Sequence, residues 1–299
     1  MEECRDLEPG LAGADTDHGL IDNRGLVGGV LCGPGLDSSG DVQLYTSNIA
    51  RLASSLGVTI RLGQQVRRVL TSPGGEAVSG LELSSGETLT ADVYILATGA
   101  RSAELAGQVG VAAPVVPLKG HMVTVRLREK EKMFRRNIYS PRHGLVSPLS
   151  PDRLRVAGMV EAVGFDHSRE EGKGRTLLGK MAGALEEGLV TEEMIEDYHS
   201  CLRPVSGDDV PLIGQTKLAN LYLNTGHGSK GWTYSWGSAA LLAQVYHQSP
   251  PVTSSHLHHL QSPLSIIEFC RSFVETTQRL RGTDLTPGDF RSFENYIKL

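Results

Sequence analysis

"NLYLNTGHGSKGWTYSWGSAALLAQVYH", residues 220 to 247, carries a G-x-G-x-x-G as Gly226-His227-Gly228-Ser229-Lys230-Gly231. An apolar strand-like run precedes it and a helix-like run follows, the local setting in which such glycines bind a dinucleotide pyrophosphate. Its place near the end of the chain argues otherwise, because a Rossmann fingerprint normally opens the first βαβ unit. A fingerprint also needs a second strand ending in Asp or Glu about twenty residues on. Here "HQSPPVTSSHLHH" follows. The loop therefore serves another purpose than cradling phosphates.

Working outward, the 299 residues suffice for two lobes or one large mixed domain. A hydrophobic content of 39% with 21% charged residues is ordinary for a globular protein. The net charge of −5 and the lack of any Lys/Arg block give no nucleic-acid surface. "MEECRDLEPG" is acidic and polar, unlike a signal or transit peptide. No apolar run approaches the ~20 residues of a transmembrane segment. Cys4, Cys32, Cys201 and Cys270 are scattered without a C-x-x-C, as for reduced thiols in a cytosol-like compartment. His256, His258 and His259 have no acidic or Cys partners nearby and are not read as a metal site.

Residues 1–37 read as a loop-rich segment with one short strand candidate, "GLVGGVLCG". A helix follows: Ser38, Ser39 or Asp41 can cap it, Val42, Tyr45, Ile49, Leu52, Ala53 and Leu56 recur at helical spacing, and Gly57 ends it. The chain then turns β in "VTIRLG", "QVRRVLTS", "AVSGLELSSG" and "TLTADVYILATGA". Val93 to Ala97 is continuously apolar, like a strand buried on both faces of a parallel sheet. Residues 113–165 show short β runs broken by Pro and Gly, typical of an antiparallel sheet, and a charged helical stretch runs on to Tyr198. In the tail, 250–299, one helix candidate places Ile266, Phe269, Phe273 and Leu280 on a face.

The order of these pieces carries a resemblance. "GDVQLYTSNIA", "GVTIRLGQQVRRV", "ADVYILATGARSAELA", "PVVPLKGHMVTV", "LRPVSGDDVPLIGQT" and the opening stretch follow one another as in the FAD-dependent oxidoreductases of the D-amino-acid oxidase superfamily. The D-amino-acid dehydrogenase branch looks most similar, with glycine and sarcosine oxidases as cousins. The sequence departs from the family at its start: members begin with a strand, a G-x-G-x-x-G turn and a helix, and this chain has no such unit. The expected fold is α/β: a partial, Rossmann-like FAD-binding domain lacking its first βαβ unit, in two segments (38–112 and 200–249), with an antiparallel α+β substrate domain at 113–199.

The resemblance implies FAD as cofactor and a D-amino acid as substrate, its CH–NH2 group oxidised by hydride transfer from Cα to the flavin. No protein base is required if the amine arrives neutral, so no catalytic residue is assigned. Arg203 matches the arginine that takes the substrate carboxylate, which a guanidinium fork binds with two parallel hydrogen bonds. Tyr139 and Arg142 match the part of the substrate lobe nearest the flavin. His121 reads as a strand residue. For the cofactor, Val66 matches the position beside the adenine, and Thr98 and Gly99 the strand end beside the adenosine and pyrophosphate. Gly226, His227, Gly228, Ser229, Lys230, Gly231, Trp232 and Thr233 match the loop and helix start facing the flavin ring. There, a helix N-terminus with its partial positive charge stabilises the reduced anion, and Lys230 can add charge. Asp208 and Asp209 read as a turn turned to solvent. Electrons would pass to oxygen, a quinone or another electron-transfer acceptor, in the cytoplasm or peripherally at a membrane. Two alternatives stay open: a non-catalytic fragment or half of a split flavoenzyme, and a glycine/sarcosine-type amine oxidase.

Overall fold

The computed structural model describes residue 8 and residues 40–129, 133–140, 144–183, 185 and 187–248. The described residues fall into two compact units, those within 1–45 and 118–202 and those within 46–117 and 203–299. Helix α1, Val42–Ser55, begins at its sequence signal. The Asp41 Oδ1 accepts from the amides of Gln43 at 2.9 Å and Leu44 at 3.1 Å, satisfying two orphan donors of the first turn. Gly57, at φ 92°, takes the left-handed conformation that ends helices. Ser38 and Ser39, the other candidate caps, lie outside the described residues. No residue of α1 is fully buried: of its apolar stripe Tyr45, Ile49 and Ala53 are half-buried and Leu52 is exposed.

"VTIRLG" forms no strand. Val58, Ile60 and Leu62 are exposed, Leu62 to 87%, and apolar alternation makes a strand only where a neighbour pairs with it. Pairing starts at β1, Val66–Thr71, which meets β2, Val78–Leu83, and through it β3, Thr88–Leu89, all antiparallel. Strand β4, Tyr94–Leu96, belongs to a different sheet. It runs parallel to β11, Leu221–Thr225, which also pairs antiparallel with β10, Leu212–Gln215. Helix α2, Ser102–Gln108, covers one face of that sheet. Leu105 and Ala106 join Tyr94, Leu96, Leu221 and Leu223 in one core with Val69 and Val78 of the first sheet.

The parallel pairing expected of the Val93–Ala97 run is present, but burial on both faces is not. Ile95, pointing away from that core, is 54% exposed. It stands beside Tyr222 in register, and Tyr222 is buried under Tyr246 of helix α4, Gly231–Gln248. The difference is one of coverage: α4 packs on β10 and β11.

The other unit is built on a five-stranded sheet in the order β6-β7-β8-β5-β9. Its strands are β5 (Val115–Arg126), β6 (Ile138–Ser140), β7 (Gly144–Ser150), β8 (Arg153–Glu161) and β9 (Ile195–Ser206). The β6–β7, β7–β8 and β8–β5 pairs are antiparallel, as expected. Helix α3, Glu171–Ala182, lays Leu177, Leu178 and Met181 on Val123, Val125, Val146, Leu154 and Val156. It stops well before Tyr198, because the chain passes through Gly183 and Gly188 and re-enters the sheet as β9 at Ile195. Beside α3 lies a chain of charges. Lys119, fully buried, donates to Asp166 at 2.8 Å, Ser168 at 3.0 Å and Glu170 at 3.3 Å. Lys173 bonds Glu170 at 2.9 Å and both oxygens of Glu161, and Glu161 stands 2.7 Å from His121 Nε2. His121 is thus a strand residue, as expected, with a carboxylate partner.

Residues 1–37 apart from Glu8, the tail 250–299 with its helix candidate, and His256, His258 and His259 lie outside the described residues.

Candidate cofactor site

Because β4 and β11 are parallel, both end at the same edge of their sheet, and in open α/β sheets ligands bind outside the carboxyl ends of the strands. Thr98 and Gly99 follow β4, while Gly226 to Gly231 follow β11. Hydroxyl groups tie the two ends together. Thr225 Oγ1 donates to the Gly99 carbonyl at 3.1 Å, Ser102 Oγ donates to Thr225 Oγ1 at 2.9 Å, and Thr98 Oγ1 lies 3.0 Å from Ser102 Oγ. Thr225 and Ser102 are buried, so this relay fixes the spacing of the two loops.

The glycine loop divides into two kinds of position. Gly226 (φ 82°) and Gly228 (φ 55°) sit in the left-handed region that L side chains rarely adopt. Gly231 has ordinary helical dihedrals and opens α4, and a Cβ there would lie 3.3 Å from His227 Cβ. Between them, Gly228–Lys230 makes one 3₁₀ turn, closed by the Lys230 amide donating to the His227 carbonyl at 3.1 Å. The loop thus delivers the N-terminus of an 18-residue helix to the end of the parallel pair. Ser229, Trp232 and Thr233 are exposed there.

Arg203 reaches this edge along β9. Val205 forms a β-bridge with His227, so Arg203 stands two residues, about 7 Å of strand, from the loop. It is half-buried, and no carboxylate among the described residues pairs with its guanidinium. Three polar atoms near this bridge also lack partners among the described residues: Ser206 Oγ, Asn224 Oδ1 and His227 Nε2. Burial holds the His227 imidazole below its ordinary value, leaving it neutral at pH 7. Buried polar groups are normally satisfied, so such a cluster fits a ligand or water supplying the missing bonds.

Other expectations place differently. Lys230 is no free cation: its ammonium lies 3.2 Å from Asp209 Oδ2, and Asp209 has that partner besides solvent. Val66 is half-buried in β1, in the other sheet of the same unit. The edge of β1 is held by Gln108, which accepts from the Val69 amide at 3.0 Å and donates to the Arg67 carbonyl at 3.1 Å. Tyr139 lies on the sheet-edge strand β6 of the other unit, 72% exposed. Arg142 lies outside the described residues. Ser206 and Asn224 have no signature in the sequence, because a lone Ser or Asn in a strand carries no signal until its neighbours are known. No metal-binding cluster occurs among the described residues. Nor does any of their helices have the length and apolarity to cross a membrane.

The sequence model for FAD-dependent oxidoreductases of the DAO family matches residues 1–245. This chain belongs to that family. It is similar to a D-amino acid dehydrogenase from Allorhizobium ampelinum, with 34% identity over 244 residues, 82% of this chain and 54% of the relative. Among solved structures, glycine oxidase from Bacillus cereus aligns at a TM-score of 0.59 and 22% identity, covering 69% of this chain and 55% of that one. Iminodiacetate oxidase from Chelativorans aligns at a TM-score of 0.59 and 21% identity, covering 72% and 57%. At these identities the structures attest the fold alone. The DAO chain spans about half the length of the relatives it matches.

Proposed function

We propose that this chain forms the flavin-ring and substrate part of an FAD-dependent oxidoreductase acting on the CH–NH2 group of a D-amino acid. The observation that carries the reading is the juxtaposition of the glycine loop, the neighbouring Thr98–Gly99 end and, through the Val205–His227 bridge, Arg203, which has no carboxylate partner among the described residues. Thr98, Gly99 and Gly226 to Thr233 would hold FAD, with Val66 set back in β1. When bound, FAD supplies the two-electron acceptor for the Cα hydride, and water hydrolyses the resulting imine to a 2-oxo acid and ammonia. Arg203 binds the substrate carboxylate through two parallel hydrogen bonds and so sets which face of Cα is presented. Gly226 and Gly228 let backbone amides approach closely, and the start of α4 contributes partial positive charge where negative charge develops. Neutral His227 offers a hydrogen bond without adding charge. Tyr139 and Arg142 would border the substrate, and oxygen, a quinone or another electron-transfer acceptor would take the electrons, in the cytoplasm or at a membrane surface.

A glycine/sarcosine-type amine substrate is the second reading, tested by turnover of glycine and sarcosine beside D-alanine. A non-catalytic fragment or split half is the third, favoured by the exposure of Leu44 and Leu52 on α1 and of Ile95 on β4. FAD titration of the purified protein decides against it by producing the two-band flavin spectrum. A preparation that stays colourless in excess FAD removes the enzymatic reading. Arg203→Ala is expected to keep that spectrum and lose turnover of amino acids by at least about 10-fold. Loss of flavin instead would make Arg203 a scaffold residue.

A further inference from the structure

We propose that Asp209 is a positioning residue, a latch that holds the glycine loop against the end of the Arg203 strand and takes up the charge of Lys230. Asp209 follows β9 in the turn leading to β10 and sits at φ 62°, in the left-handed region. Asp tolerates that region better than most residues, yet the conformation is still uphill and persists only where surroundings hold it. The turn itself contributes, the Asp209 amide donating to the Ser206 carbonyl at 3.3 Å, and the loop holds the side chain. Asp209 Oδ2 meets Lys230 Nζ at 3.2 Å, and Oδ1 lies 2.9 Å from where a Cβ on Gly228 would stand. Any side chain at position 228 would therefore displace the carboxylate. The Val205–His227 bridge ties the same strand to the same loop from the other side. Arg203 and the loop consequently move as one piece.

The Lys230–Asp209 pair is about half exposed on both sides. Such pairs add little to global stability, so the latch acts on local position and charge. With Asp209 present, the charge at the loop is that of the α4 terminus alone. Without it, a full cation is released beside the segment read above as flavin-facing. The redox consequence rests on that reading, and the mechanical one does not.

The experiment is backbone amide exchange over residues 227–231 in the whole chain, with Asp209→Asn, Asp209→Gly and Lys230→Met. Each variant is expected to speed exchange there roughly two- to fivefold, the opening that an exposed pair of this kind holds back. Combining Asp209→Asn with Lys230→Met should add nothing further. Asp209→Gly relieves the left-handed backbone, so its thermal midpoint should match or exceed the parent's while loop exchange still rises. Exchange that stays at the parent's rate in the Asn and Gly variants overturns the proposal. So does a lower midpoint in Asp209→Gly, which would make the residue a plain turn support. In FAD-loaded protein, Asp209→Asn should raise the flavin midpoint potential and the double variant should restore it. A parent that takes up no FAD refutes the proposed function, and the exchange result still decides the latch.

Discussion

Gly174 illustrates how one missing side chain sets a packing distance. It lies in α3, buried, and a Cβ built on it would collide with the Tyr198 ring of β9. The ring is flanked by the α3 core and cannot yield like the end of a flexible chain. Gly174→Ala should therefore destabilise this unit by about 1–3 kcal/mol, as overpacking does, despite alanine's better helix propensity. Urea denaturation checks it, and Gly174→Ala combined with Tyr198→Leu should recover part of the loss. An unchanged midpoint would mean that α3 shifts on its sheet freely. Nothing in "EGKGRTLLGK" marks Gly174 apart from Gly172 or Gly179, since the reason lies across the sheet in Tyr198. The same limit hid Asp209: "SGDD" announces a turn, but its partner Lys230 stands in another segment. The left-handed turns at Gly226 and Gly228 could be read from the sequence because their pattern is local.

Elements with a local signature came through the sequence well. The cap at Asp41, the glycine after α1 and the antiparallel runs in 115–161 each follow from neighbouring residues. "VTIRLG" and the length of α3 did not, because partner strands and re-entry into the sheet decide them. Charges between elements were equally invisible, and the buried Lys119 network has consequences for acid stability. Lys173 first, then His121, holds the Glu161 carboxyl below the usual range, and Lys119 does the same for Asp166. Lys173 first, then Lys119, depresses Glu170. Carboxylates depressed in the folded state stabilise it above their unfolded values, about pH 4, and that contribution fades as pH falls through the folded ones. The lysines are raised, so their share is complete below their unfolded value and declines only under strong alkali. Urea midpoints should therefore fall progressively as the pH drops from about 5 towards about 1. The Asp166→Asn/Glu170→Gln variant should start lower at neutral pH, with Lys119 left buried unpaired, and fall less steeply. Parallel pH curves for the two proteins would rule the network out as the acid-sensitive element.

At the scale of the molecule, apolar surface is unevenly disposed. Leu44 and Leu52 of α1, then Leu56, Val58, Ile60 and Leu62, and finally Ile95 on β4 are all exposed. Strands of a parallel sheet are normally covered on both faces, and strand edges left open invite pairing with other chains. The inward face of β4 shows what coverage is worth, since Tyr94 and Leu96 are buried there while Ile95 between them is not. Composition could not reveal this, because an apolar residue in a strand reads the same whether or not something lies over it. The asymmetry can be measured with one pair of substitutions that keep the β-branched or strand-compatible character. Ile95→Thr should leave the thermal midpoint nearly unchanged, within about 0.5 kcal/mol, while lowering binding of a hydrophobic dye and self-association. Leu96→Thr, on the covered face, should cost about 2–5 kcal/mol. Equal losses from the two would show that Ile95 is buried in solution, against a neighbouring copy or a segment outside the described residues.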